Sequence, residues 1–238
     1  MYGWRARIGV IYPSSGLRDA DFHRLVPSGV SVHITRVAFK NVGTVDAIKE
    51  MSELTNLLEA ARLLAHVEPS CITWADTSGS FLFGPEGDLA QIKAIEGEIG
   101  VPASTTSSAC LKAFQKLGAS KVSIASPYLN EVNEKMLEFL RAKGVPFSHI
   151  ESLELRDSSQ IARTTREIVY RLARKALRDG DTLFIPCTDF FDLDLIDLLE
   201  KDLSVPVVAA NPATMWDALR LSGIRDPVRG FGRLMTLA

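Results

Sequence analysis

Cysteine, histidine and uncompensated charge are all scarce in this chain of 238 residues. The three cysteines, Cys71, Cys110 and Cys187, are far apart and form no CxxC pair. A disulfide framework and a zinc site are therefore both disfavoured, and reduced thiols are expected. The four histidines fall in none of the predicted strand-end turns, so the sequence gives no support to a Cys/His nucleophilic pair.

The charge balance and the short apolar runs disfavour several further classes of protein. The formal net charge is -2 and no Lys/Arg stripe is present, so we expect no nucleic-acid partner. The N-terminal apolar run is too short for a signal peptide or a membrane span, which predicts no membrane partner and a cytoplasmic location. The glycines at 84–87 and 230–232 match neither a dinucleotide fingerprint nor a P-loop, so no cofactor is implied. The acids at 189–197 are better explained by a helix start than by a metal site.

Apolar runs rich in β-branched residues alternate with helical patterns along the whole chain. Strands alternating with helices indicate a parallel sheet and an α/β fold. The predicted strands are 7–12, 31–38, 70–75, 101–104, 121–125, 146–151, 182–186 and 205–209. The predicted helices that separate them include 45–65, 88–98, 130–143, 159–179 and 194–203.

Three pairs of segments recur in the same order in the two halves of the chain. They are RIGVIYPSS with KVSIASPYL, ITWADTSGS with LFIPCTDFF, and GVPASTTSSACLKAFQKLG with SVPVVAANPATMWDALRLSG. This order predicts a duplicated unit, that is, two similar α/β domains with their strand ends facing one cleft. We place the first domain at 1–115 plus 212–238 and the second at 116–211.

The strand-end turns of the two halves supply the candidate chemistry. Asp76, Thr77 and Ser78 come from the first half, and Cys187 and Thr188 come from the second. A helix beginning at 189–197 would lower the pKa of the Cys187 thiol through its N–H groups and its dipole. The alternative is that Cys187 is a small buried apolar residue, as is expected of Cys71 and Cys110.

Hydroxyl groups near the predicted cleft have a specific physical use. Thr77, Ser78 and the phenol of Tyr128 could bind a carboxylate and stabilise the negative charge that develops as an enediolate forms. The alternative is ordinary turn chemistry, in which serine and threonine are common without any role in binding.

Five segments, in this order, resemble the aspartate/glutamate racemase superfamily and, within it, the branch of arylmalonate decarboxylases and maleate isomerases. They are IGVIYPSSGL, DTSGSFLFG, SPYLNEVNEKMLEFL, IPCTDFFDLDLIDLLEKDLSVPVVAANPATMWDAL and GFGRLM. The resemblance covers essentially the whole chain. It implies two pseudo-symmetric α/β domains around one site, and cofactor-independent chemistry on a small carboxylic acid. Its intermediate would be an enediolate, a carbanion or a thiol adduct. Oligomeric state stays open.

The resemblance also implies roles for individual residues. Cys187 matches the second-domain cysteine, which in the decarboxylases protonates the enediolate. Thr77, Ser78, Tyr128 and the Thr188 backbone match the donors that hold the retained carboxylate. Pro13 and Ser14, in the first strand-end turn, are expected to contact the substrate as well.

Two positions depart from the pattern of the relatives. After Pro13-Ser14-Ser15, maleate isomerases typically carry asparagine. This chain has Gly16 at that position, as the decarboxylase-like branch does. Asp76 replaces the first-domain cysteine, where the decarboxylase has glycine. A desolvated Asp76 would be neutral and able to donate a hydrogen bond, whereas an ionised Asp76 would be a general base opposite Cys187.

Three hypotheses follow from these residues. The preferred one is a decarboxylase of a malonate-type acid with Cys187 as the proton donor. The second is an isomerase or racemase that uses Asp76 and Cys187 on opposite faces of the substrate, with thiolate addition to maleate as a weaker variant. The third is a binding protein for small acids that has lost catalysis. Lys40 is interpreted as an exposed loop residue, although it could meet a second carboxylate.

Overall fold

The computed structural model describes residues 3–190 and 192–238, and these form two four-stranded parallel sheets. The strands of the first sheet lie in the spatial order β2-β1-β3-β4, where β1 is Ala6–Pro13, β2 is Val30–Val37, β3 is Cys71–Trp74 and β4 is Ala103–Thr105. Those of the second lie in the order β6-β5-β7-β8, where β5 is Val122–Ser126, β6 is Phe147–Ser152, β7 is Thr182–Ile185 and β8 is Val207–Ala209. The second sheet repeats the first strand for strand, which confirms the predicted α/β fold and its duplication.

Helices connect the parallel strands, as crossover connections between parallel strands require. Those in the first half of the chain are α1 (Asp19–Arg24), α2 (Val45–Met51), α3 (Leu54–Ala65), α4 (Thr77–Phe81), α5 (Gly84–Ile99) and α6 (Thr106–Leu117). Those in the second half are α7 (Asn130–Ala142), α8 (Ser158–Ala162), α9 (Arg166–Ala176), α10 (Ile196–Leu203) and α11 (Ala210–Leu221).

The cores of both sheets are built from the central strands. All four residues of β3 and of β7 are buried, and β1 is buried at every position except Arg7. Strands of a parallel sheet covered on both faces are apolar along their whole length. The short runs CITW and TLFI therefore lie deep in the fold and fix the polar turns that follow them.

Two predicted helices are each divided in the structure. The helix predicted at 45–65 is interrupted after Met51, where the Asn56 side chain donates to the carbonyls of Glu50 and Met51 at 2.9 and 3.4 Å. The helix predicted at 159–179 is interrupted at Thr165, which is extended, while the Thr164 hydroxyl donates to a preceding carbonyl. In both places a side chain satisfies carbonyls that would otherwise bind helical N–H groups, which favours the break.

The last helix returns to the first sheet. α11 follows β8 of the second sheet but packs against α6 and β4. This packing supports our proposal that 212–238 belongs with 1–115 and that 116–211 forms the second domain. Residues 1 and 2 of that proposed domain, and residue 191 of the predicted helix start, lie outside the described residues. No helix in the described part of the chain is long and apolar enough to cross a membrane.

Candidate active site

A cavity of about 50 Å³ lies between the carboxyl ends of the central strands of the two sheets. Its wall combines turns from both halves of the chain with four apolar side chains, those of Phe39, Ile48, Leu155 and Ile161. The predicted site residues in this wall are Pro13, Asp76, Ser78, Tyr128, Cys187 and Thr188. The duplicated fold therefore brings the strand-end turns of both halves to one cavity.

The other two predicted site residues lie beside the cavity wall. Thr77 accepts the backbone N–H of Cys187 at 3.1 Å through its hydroxyl oxygen, and it hydrogen-bonds to Tyr128. Ser14 is exposed, and its hydroxyl accepts the N–H of Phe39 at 3.0 Å, while the adjacent Ser15 lines the cavity. Thr77 thus joins the two halves, and Ser15 takes the position in the wall that was predicted for Ser14.

Cys187 has an unusual backbone conformation at the end of β7. Its φ is 82°, in the left-handed region that non-glycine residues rarely adopt. Its side chain is partly exposed, whereas those of Cys71 and Cys110 are buried in the core, as predicted. Such a conformation costs on the order of 1–3 kcal/mol and persists where the surroundings hold the residue in place.

This conformation predicts an inverted order of stability for two substitutions. Cys187→Gly is expected to be more stable than Cys187→Ala by about 1 kcal/mol, because alanine retains the left-handed strain that glycine avoids. Urea unfolding of the two variants measures the difference. The matched control is the same pair at Cys110, within α6, where glycine is expected to be the less stable by about 1 kcal/mol. Equal stabilities of the two Cys187 variants would contradict the strain.

The environment of Cys187 corrects the predicted pKa of its thiol. Among the described residues, the first helix after Cys187 along the chain is a 3₁₀ helix that begins only at Leu193, so the helix start that was expected to act on the thiol is not adjacent to it in sequence. Burial raises the pKa of the Cys187 thiol, and the negative charge of Asp189 raises it further. The Asp189 backbone N–H and the Tyr128 hydroxyl hydrogen-bond to the sulfur and oppose this rise in pKa. Cys187 is therefore a neutral thiol near pH 7 and not the thiolate that the sequence favoured.

Asp76 caps α4 with its own side chain. Its Oδ1 accepts the Gly79 N–H at 2.5 Å and the Ser78 hydroxyl at 2.9 Å. Burial raises the pKa of Asp76 to about 6, although these two hydrogen bonds act in the opposite direction. In this structure the Ser78 hydroxyl, predicted to hold the substrate carboxylate, is thus donated to a carboxylate of the protein itself.

Tyr128 presents a neutral phenol to the cavity. Burial raises its pKa well above the ordinary value, and negative charge on Cys187 or Asp76 raises it further. The backbone carbonyl of Tyr128 accepts Asn133 Nδ2 at 3.0 Å and Ser152 Oγ at 2.5 Å, which fixes the turn after β5. The phenol is therefore a well-positioned hydrogen-bond donor at any pH near neutrality.

Asp189 and Tyr12 line the cavity, but sequence analysis assigned them to a helix start and to a strand. Asp189 Oδ1 accepts the Leu17 N–H at 2.9 Å and the Tyr12 hydroxyl at 3.2 Å, and burial raises the pKa of this carboxyl. The Tyr12 ring also explains Gly16, because a Cβ there would lie 2.2 Å from a ring carbon. The available signal for Asp189 was its position directly after Thr188.

Acidic groups dominate the electrostatics of this cavity. Its wall includes Asp76 and Asp189 but, among the described residues, no lysine, arginine or histidine. Lys40 pairs with Glu50 at 2.6 Å and both side chains are exposed, as expected of a loop lysine. Within the described part of the chain, no cluster of three or more His, Cys, Asp or Glu side chains could hold a metal ion. Binding of an anionic ligand is therefore favoured when Asp76 and Asp189 are protonated.

Comparison with known proteins agrees with the predicted resemblance. The arylmalonate decarboxylase of Bordetella bronchiseptica is 29% identical over 229 residues, which is 94% of either chain. The maleate isomerase of Nocardia farcinica is 26% identical over 243 residues, covering 96% of this chain and 95% of that protein.

Solved structures and a family model extend this comparison. A liganded arylmalonate decarboxylase with a glycine-to-cysteine and a cysteine-to-serine substitution has a TM-score of 0.89 at 29% identity, covering 96% of this chain and 98% of that one. The maleate isomerase Iso of Pseudomonas putida S16 has the same fold, with a TM-score of 0.89 at 20% identity over 97% of this chain and 98% of its own. The family model described as arylmalonate decarboxylase matches residues 9–235. The chain therefore belongs to the arylmalonate decarboxylase family.

Proposed function

We propose that this chain is a cofactor-independent enzyme that removes carbon dioxide from a malonate-type acid, with Cys187 as the proton donor. The observation that carries the proposal is a neutral thiol in the wall of a cavity that also contains a neutral phenol. The resemblance to arylmalonate decarboxylase over nearly the whole chain supports the same reaction. A cytoplasmic location and a small-acid ligand, without a nucleic-acid or membrane partner, belong to this proposal.

The retained carboxylate of the substrate needs hydrogen-bond donors that hold it as charge develops. We assign this role to the Tyr128 hydroxyl, the Thr77 hydroxyl and the Thr188 backbone N–H, with Ser78 joining them when it releases Asp76. Pro13 and Ser15 also line the cavity. Donors fixed in advance stabilise an enediolate more than they stabilise the resting carboxylate, because the enediolate carries more negative charge on its oxygens.

We place the departing carboxylate against the apolar side chains of the cavity wall. The bond between the α-carbon and this carboxyl breaks, carbon dioxide is released, and the bonding electron pair enters the enediolate of the retained carboxylate. The S–H of Cys187 then gives its proton to the α-carbon. The resulting thiolate stays beside the Asp189 N–H and the Tyr128 hydroxyl until a solvent proton restores the thiol.

The proposed reaction is tested with a panel of malonates carrying methyl, phenyl or hydroxyl substituents at the α-carbon, in deuterated water. We expect carbon dioxide release from at least one of them and a single deuterium at the α-carbon of the product. The deuterium follows because the Cys187 thiol exchanges its proton with the solvent before each turnover. Absence of carbon dioxide across the whole panel, with the protein folded, would remove the decarboxylase proposal.

A second candidate is an isomerase or racemase that uses Asp76 and Cys187 on opposite faces of the substrate. It is favoured by the pKa of Asp76, about 6, which leaves this group largely ionised and able to act as a base at pH 7. This scheme predicts deuterium exchange at the α-carbon of a monocarboxylic acid without carbon dioxide release. Binding of small acids with neither reaction would instead favour the non-catalytic alternative.

A further inference from the structure

The peptide between Thr188 and Asp189 is held from two sides. Its carbonyl accepts Asn211 Nδ2 at 2.9 Å, and the Tyr12 hydroxyl, whose one hydrogen is shared with the closer Asp189 Oδ1, lies 3.4 Å from it. The N–H of the same peptide belongs to Asp189 and acts on the Cys187 thiol, whose pKa it lowers. The peptide bonds of the described residues are trans, so the carbonyl and the N–H of one peptide point in opposite directions. Fixing the carbonyl therefore also fixes the direction of the N–H at the sulfur.

Asn211 is the buried donor to this carbonyl. It lies in the first turn of α11, with 4% of its surface exposed. Its Nδ2 also donates to Asp21 Oδ2 in α1 at 3.3 Å. Both hydrogens of the amide are thus used, one on Asp21 and one on the turn after Cys187. A carboxylate or an apolar side chain at this position could not make both bonds.

We propose that Asn211 is a positioning residue for Cys187, one that acts through the Thr188–Asp189 peptide to aim an N–H at the sulfur. The proposal rests on the proposed role of Cys187 as a proton donor. When the thiol gives up its proton, the sulfur becomes negative in a cavity whose wall already contains Asp76 and Asp189. A hydrogen bond to an ionised acceptor is about twice as strong as one between neutral groups, so the Asp189 N–H matters most at that moment. The hydrogen bond that the Thr188 carbonyl accepts from Asn211 also polarises the N–H of the same peptide.

Removal of the amide tests this inference without relying on turnover. In Asn211→Leu, alkylation of Cys187 by iodoacetamide at a fixed, mildly alkaline pH is expected to slow by about tenfold, because the thiolate loses a directed donor. Peptide mass spectrometry separates Cys187 from Cys71 and Cys110, and protection of these two buried cysteines reports that the variant is folded. With the proposed substrate, kcat is expected to fall by a similar factor while KM changes little.

The matched control is Thr214→Val in the same helix. Thr214 donates to the Ala210 carbonyl at 2.8 Å and its hydroxyl also lies 2.8 Å from that of Thr106 in α6; neither bond involves the Cys187 turn, so its loss reports on destabilisation of α11 and of its packing on α6. Alkylation in Thr214→Val is expected to stay within about twofold of wild type. If Asn211→Leu does not fold, Asn211→Ala serves in its place, since it removes both donors without adding charge or bulk. Wild-type alkylation of Cys187 in a folded Asn211 variant would overturn the inference, whatever reaction the enzyme catalyses.

Discussion

Cys187→Ala is expected to lower the rate of decarboxylation by about a thousandfold while the protein still binds its substrate. The physical reason is that proton transfer from a positioned acid contributes about 10²–10⁴-fold to an enzymatic rate, and alanine carries no transferable proton. KM is expected to change little, because the proposed donors to the retained carboxylate, Tyr128, Thr77 and the Thr188 backbone, are left in place. Carbon dioxide release, followed with the best malonate of the panel, measures the effect.

The control for this experiment is Cys71→Ser. Cys71 is fully buried and donates to the Ala218 carbonyl, and its pKa is raised to about 12 by burial, so it is a structural thiol. Serine keeps the donor, and activity is expected to stay near wild type. Cys187→Ser tests the role of Cys187 as the acid, since a hydroxyl donates its proton less readily than a thiol and the rate should therefore fall. Full activity in Cys187→Ala would show that another group supplies the proton.

The second large effect concerns Asp76 and pH. If the decarboxylase scheme holds, kcat/KM is expected to fall as the pH rises through about 6, because ionised Asp76 repels the carboxylates of the substrate. Two unit charges about 5 Å apart, at an effective dielectric constant of about 20, repel by about 3 kcal/mol, which corresponds to about a hundredfold in binding. The fall above pH 6 should therefore level off near that factor. Steady-state kinetics between about pH 5 and 10 measure the fall and its levelling off.

Asp76→Asn is the matched variant for this prediction. Asparagine keeps the oxygen that caps α4 but never becomes charged. In this variant, kcat/KM should therefore lose the pH dependence that arises from the titration of Asp76. Carboxyl groups of the substrate titrate in both proteins, and the ratio of wild type to variant cancels them. If Asp76 is instead the general base of an isomerase, wild-type activity rises through pH 6 and the variant is inactive. The direction of the pH profile thus separates the two candidate functions.

The same pKa sets how the Asp76 side chain affects stability. The folded protein holds this proton more tightly than the unfolded chain, whose carboxyl has an ordinary pKa of 3.8. The stabilising contribution, about 3 kcal/mol, is therefore fully present below about pH 4 and is lost as the pH rises through about 6. Urea unfolding should accordingly find Asp76→Asn more stable than wild type at pH 8, and similar to it near pH 4.

The strand-end turns were predictable because strand alternation and duplication are visible in short sequence patterns. The runs ending at Trp74 and Ile185 are apolar throughout, which places them inside a parallel sheet and their following residues at its carboxyl edge. Repetition of the motifs then indicated that the two edges face each other. On these grounds alone, Asp76 and Cys187 were expected in one cleft, and the structure places both in one cavity wall.

The charge state of Cys187 could not be predicted in the same way. Acids after a strand-end turn are typical of a helix start, which would have lowered the pKa of the thiol. In the fold, the polypeptide instead turns Asp189 back towards Tyr12 and Leu17, where its carboxyl faces the cavity. The partners of Asp189 are more than 170 residues away in sequence. The sequence pattern around Asp189 therefore carries no information about these partners.

The division of the cavity between two duplicated halves has a consequence for chirality. Among the described residues, Cys187 is the cysteine in the cavity wall, and it comes from the second half alone. Under the proposed function, a planar enediolate held by Tyr128 receives its proton from that half only, so a substituted malonate yields one mirror-image form of its product. The two halves are alike in strand order, so under the proposed function the position of a single sulfur atom sets the handedness of the product.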